Sequence, residues 1–145
     1  MSTDTLFLDS QHQSSERFAV FEDDGTSAWL YLTECGIRRP IADIWVHNRI
    51  PAPATSEIKN YRGGPPPAAN GYVGEGTLCG APSNFDWQFL WATDGNAVAL
   101  TKDGQPVAFA SSDSKSGWST GLIKNGPWGC VWDSALFDEL FNETA

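Results

Sequence analysis

Three stretches of the chain set carboxylates beside glycine: Glu22-Asp23-Asp24-Gly25, Asp94-Gly95-Asn96 and Asp103-Gly104-Gln105. Such runs can hold a cation, supply acid and base, or form the corners of a sheet. A calcium loop needs several oxygen ligands at alternating positions, and the two downstream stretches supply too few. Glu22, Asp23 and Asp24 are denser, but neighbouring side chains on a hairpin go to opposite faces. A solvated acidic corner is the expected outcome. A second polar group sits in IADIWVHNRI, where Asp43 and His47 stand about 13 Å apart along an extended strand. That separation excludes a direct acid/base pair. With two histidines in the chain, a zinc site or histidine-based triad would need unusual partners. The glycines of GYVGEG follow no strand and open no helix, and no GxSxG elbow, P-loop or dinucleotide fingerprint is present. The expectation is no catalytic residue, no metal and no cofactor.

The elements that carry these residues are legible from their alternation. Asp-Gly between alternating apolar residues is a strong hairpin signal, because a type I′ turn needs positive φ at both central positions. A turn at Asp94-Gly95 sets Trp91 opposite Val98 and Phe89 opposite Leu100. A turn at Asp103-Gly104 sets Leu100 opposite Val107 and Val98 opposite Phe109. One face then carries Trp91, Val98 and Phe109 and the other mostly alanine. A turn at Asp24-Gly25 sets Val20 opposite Trp29 and Phe18 opposite Tyr31. In residues 41–50, Ala42, Ile44, Val46 and Ile50 point one way and Asp43, Trp45, His47 and Arg49 the other. DSALFDELFNETA reads as a helix capped by Asp133, with Leu136, Phe137, Leu140 and Phe141 on one face. The expected fold is α+β: a mostly antiparallel sheet of about six strands with a C-terminal helix packed on it. It forms a single domain over 1–145, with a loose N-terminal segment at 1–16 and a long Pro/Gly-rich loop at 51–84. A loop of that length is usually functional or disordered.

Eighteen acidic against nine basic residues give a net charge of −9. That disfavours nucleic acid and anionic membrane, both of which need a positive surface, and it fits a basic protein partner. No apolar run approaches the roughly 18–20 residues of a membrane span. The N-terminus lacks a basic start and its apolar patch is short, so no secretory signal is expected. Three cysteines, Cys35, Cys79 and Cys130, are widely spaced and form no CxxC pair. They read as reduced thiols of a cytoplasmic protein. Seven tryptophans are expected mainly in the core, with the remainder free to anchor a partner.

FEDDGTSAWLYL, IADIWVHN and WATDGNAVALTKDGQPVAFA, followed by a Trp-containing tail, resemble a family of small bacterial proteins described as domain of unknown function 2251. The resemblance covers residues 17–50 and 86–137. It implies the same hairpins and transfers no catalytic residues.

The expected function is a non-enzymatic binding protein, specifically an immunity-type protein that neutralises a bacterial toxin or effector domain by occluding it. An acidic face speeds capture of a basic enzyme and blocks its groove. Candidate contact residues are Glu22, Asp23, Asp24, Asp43, Trp45, His47 and Arg49, with Tyr61, Arg62 and Tyr72 in the long loop. Two alternatives stand beside it: a small-ligand binder or carboxylate enzyme acting, for example, on a sugar, and a structural accessory module.

Overall fold

Strand residues alternate between the faces of a sheet, and here the alternation builds two sheets that share one core. The computed structural model describes residues 5–60, 66–74 and 80–141. The first sheet has four antiparallel strands in sequence order: β1 (Leu6–Gln11), β2 (Phe18–Asp23), β3 (Ser27–Thr33) and β4 (Pro40–Asn48). The second has five: β5 (Trp87–Trp91), β6 (Ala97–Lys102), β7 (Gln105–Ser111), β8 (Trp118–Ser119) and β9 (Cys130–Val131). Its pairs are antiparallel except β8 with β9, which is parallel. Helix α1 (Ser134–Phe141) follows β9. The fold is therefore α+β, mostly antiparallel β, with the C-terminal helix packed on a sheet.

Sheet one turns Ala19, Phe21, Leu30, Leu32 and Ile44 towards Val98, Leu100, Ala108 and Ala110 of sheet two. Sheet two's other face presents Phe109, Ala97 and Ala99 to Leu136, Phe137, Leu140 and Phe141 of α1. The Phe109 ring stacks on Trp118 at 4.8 Å and meets Trp132 edge-on at 5.1 Å. Asp133 caps α1, its carboxylate accepting from the Leu136 amide at 3.0 Å. The tryptophans are predominantly core: Trp29, Trp45, Trp87 and Trp128 are buried. Their indole N–H groups are satisfied internally, for example Trp87 by the Pro82 carbonyl at 2.9 Å.

The registers match the sequence reading in part. Trp91 pairs with Val98 and Phe89 with Leu100, as expected. The β6–β7 pairing departs from expectation, because a bulge after Leu100 sets it opposite Ala108 and Val98 opposite Ala110. Asp103 and Gly104 do form the turn, with φ of +51° and +85°. The slip arises just beyond it, beside Pro106, which has no N–H to give the ladder. Its consequence is large. Phe109 faces the helix, and small alanines face sheet one, where close approach is needed. The β2–β3 hairpin shifts by two residues, pairing Val20 with Tyr31 and Glu22 with Trp29. An even shift leaves every side chain on its expected face.

Residues 6–11 lie in the stretch expected to be loose, yet they form β1 on the edge of sheet one. Leu6 and Leu8 join the core, and the Trp91 indole donates to Ser10 Oγ at 3.0 Å. Within the long Pro/Gly segment, Thr55–Asn60 and Pro82–Asn84 are 3₁₀ turns. Pro67, Ala68 and Ala69 are buried, so this part of the segment is core and not a surface loop.

The two Asp-Gly glycines differ in surroundings, which yields a prediction. A Cβ at Gly104 (φ +85°) would meet open space, whereas one at Gly95 (φ +75°) would collide with His12 Nδ1 and Ser15 Oγ. Gly104→Ala should cost about 1–2 kcal/mol from backbone strain alone, and Gly95→Ala measurably more in a urea melt. Equal losses would contradict the docking of the 12–15 turn on Gly95.

Candidate functional site

The candidate residues separate onto the two faces of sheet one, and the agent of separation is a second bulge. Ala28 pairs with His47 but Trp29 pairs with Trp45, leaving Val46 as the extra residue of β4. Uninterrupted alternation put His47 and Arg49 on the face of Asp43 and Trp45. The bulge instead turns His47 to the inner face, beside Asp23, which pairs with Ala28 from the opposite strand. A bulge resets which way the following side chains point.

On that inner face Asp23 is fully buried and ion-paired twice, to His47 Nε2 at 2.8 Å and to Arg49 Nη1 at 3.0 Å. It also accepts the Gly25 amide at 2.9 Å. Burial by itself raises the Asp23 pKa. The hydrogen bond from His47, the Gly25 N–H and the charges of His47 and Arg49 outweigh it, and the carboxyl rests below its ordinary value. The Trp87 ring lies 5.7 Å from His47 and 4.7 Å from Phe21. Asp23, His47 and Arg49 are thus an internal ion cluster tying the β2–β3 turn to the end of β4, and not surface contacts.

Trp45 is also interior, with zero exposure. Its indole donates to Asn48 Oδ1 at 2.8 Å. The same oxygen accepts the Ala68 amide, and Asn48 Nδ2 returns a bond to the Ala68 carbonyl. The 66–69 segment is thereby pinned to one end of the sheet's outer face. Tyr72 is half-buried against Trp128 at 5.0 Å. Tyr61 and Arg62 lie outside the described residues.

The remaining candidates converge on the accessible end of the outer face. Glu22 and Asp24 are exposed, and Asp43 is half-buried opposite Tyr31. Of these, Glu22 lines a groove of 250 Å³ walled by Phe7, Val20, Tyr31, Thr33 and Pro40, with Arg38 also at its margin. Phe7 is 59% exposed although it is one of the largest apolar side chains. The Tyr31 phenol is pushed up to about 12 by burial and then by the charges of Glu22, Asp43 and Asp24. Burial likewise pushes the Asp43 carboxyl up. Beside the groove, the Arg38 guanidinium lies 4.2 Å over the Phe18 ring and bonds Asp9 at 2.8 Å. Sequence reading named the acids of this face and missed Phe7, Val20 and Tyr31, which look like ordinary strand residues until the second sheet claims the opposite side.

Among the described residues no group of three or more His, Cys, Asp or Glu side chains could hold a metal ion, and no helix is long and apolar enough to cross a membrane.

Two measurements follow from these environments. Asp23→Asn leaves the Arg49 guanidinium with a neutral partner in a largely buried site and should cost about 3–5 kcal/mol. Because the folded pKa is depressed, the carboxylate's contribution is complete above the ordinary value of about 4 and is lost as pH falls through the folded value. The wild-type chain should therefore lose stability in acid where the variant shows a flatter profile. Parallel profiles would remove Asp23 from that role. In an ultraviolet titration one phenol should ionise near 12, and Glu22→Gln should lower that midpoint by removing a repelling charge. An unmoved midpoint would separate Glu22 from Tyr31. No family model, curated protein or solved structure matches the chain.

Proposed function

We propose that the chain is a non-enzymatic binding protein of the immunity type, working in the cytoplasm, that captures a basic toxin or effector domain and occludes it. The observation that carries this reading is the outer face of sheet one. There an exposed aromatic groove carries Glu22 in its lining, and the charges of Asp43 and Asp24 also act on its Tyr31, on a chain whose net charge is −9. Exposed aromatic surface with charged groups at its margin is the composition of a recognition patch. The carboxylates steer a basic partner during encounter, and Phe7 and Tyr31 supply apolar area once it docks. The inner face performs a different task, holding the strands in register.

The test is to identify the genes adjacent to the one for this chain, co-express the chain with any toxin-bearing effector domain found there, and measure binding kinetics. Wild type should protect cells and bind with an on-rate that falls as salt rises. Glu22→Lys with Asp24→Asn should slow association about tenfold at low salt while leaving the thermal melt nearly unchanged, since Glu22 is solvated and the Asn side-chain carbonyl can still accept the Thr26 and Ser27 amides that Asp24 holds. Failure to bind or neutralise the effector would sink the immunity reading. Unaltered binding by the doubly substituted chain would move the interface off this face.

A further inference from the structure

We propose that the groove between Phe7, Val20 and Tyr31 is a receptor for a single arginine side chain of the partner, seated flat against Tyr31 and neutralised by Glu22 and Asp43. This rests on the reading of the outer face as the partner surface and names the chemistry that the face selects. Three observations carry it. The groove's walls are apolar and aromatic, while the acids stand at its edge and across the strand from Tyr31. That is the environment in which a weakly hydrated, planar cation gains most, from ring stacking and from the carboxylates together. The same sheet face already contains an internal example of this recognition. Arg38 lies 4.2 Å over Phe18 and bonds Asp9 at 2.8 Å. Phe18 and Asp9 belong to the same outward rows of β2 and β1 as Val20 and Phe7. Finally, the one basic side chain in the groove's lining, Arg38, is already engaged by Asp9. The field at Tyr31 is accordingly set by Glu22, Asp43 and Asp24, and it favours a cation.

Arginine is favoured over lysine for a geometric reason. The guanidinium can stack on a ring and still direct N–H groups in its plane towards carboxylates on more than one side. An ammonium is a hydrated point charge and gains less from an aromatic wall.

The test uses the intact, ¹⁵N-labelled chain titrated with N-acetyl-arginine amide, its citrulline counterpart (the same shape without the charge) and N-acetyl-lysine amide. The arginine probe should produce saturable shifts at millimolar concentration on the amides of Phe7, Val20, Glu22 and Tyr31. Citrulline should bind about tenfold more weakly, the usual scale for losing a charged hydrogen-bonding partner, and lysine should fall between them. Glu22→Gln should weaken the arginine probe by about the same factor. Glu139→Gln, which removes one exposed negative charge from α1, should not. Absence of saturable shifts with arginine, equal binding of citrulline, or shifts confined to another surface would each overturn the proposal. Failure here is distinguishable from failure of the wider reading. If the chain carrying Glu22→Lys and Asp24→Asn loses effector capture while the arginine probe is silent, the partner uses this face without an arginine in the groove. If the probe seats but no effector is captured, the receptor stands and the immunity role falls.

Discussion

A carboxylate with no solvent exposure stays ionised inside an apolar sandwich only if cations are buried with it. Asp23 meets that condition through His47 and Arg49, and much of sheet one is arranged around it. The strand that carries His47 must bulge for the ring to reach, and the bulge at Val46 decides the facing of every later residue of β4. The Gly25 amide closes on the same carboxylate, so the β2–β3 turn is fixed by the cluster as well. Removing Asp23 leaves the Arg49 charge uncompensated in a low-dielectric site, which is far costlier than losing a surface ion pair. The cluster therefore specifies a register more than it adds net stability.

Once the ion cluster takes Asp23, His47 and Arg49 inward, the outer face keeps Glu22, Asp24 and Asp43 together with Phe7, Val20 and Tyr31. One end of that face is closed by the 66–69 segment, clamped through Asn48 to Trp45. The other end keeps its aromatic surface accessible. A strand sequence that reads as one mixed acidic stretch thus serves two purposes, because adjacent positions on a strand cannot point the same way. Glu22 and Asp23 are neighbours in sequence and stand on opposite sides of the sheet.

The legible parts of the fold were those governed by strict local rules. The Asp103-Gly104 turn, the period-two faces of β2, β3, β5 and β6, and the capped terminal helix follow from turn chemistry and alternation, whereas at Asp24-Gly25 and Asp94-Gly95 only the glycine takes positive φ. The illegible parts were those where tertiary contact overrode the local pattern. The bulge beside Pro106 moved Phe109 to the helix side, and nothing short of the second core could signal that. The Val46 bulge had no glycine or proline to mark it. Strand β1 was hidden because LFLDSQ is half solvated and ends in polar residues. Pro67, Ala68 and Ala69 read as loop by composition, yet Asn48 satisfies the backbone of Ala68 and permits burial. In the candidate site the acids could be named from sequence. Their division into interior and surface required the register.

The central claim is that function resides on the outer face of sheet one, and the most direct measurement is the footprint of the bound effector by cross-saturation from partner to labelled chain. The account predicts the strongest transfer to amides around Phe7, Val20, Glu22 and Tyr31, with little at α1. A footprint confined to α1 and the 94–96 turn, with those four amides untouched, would contradict it.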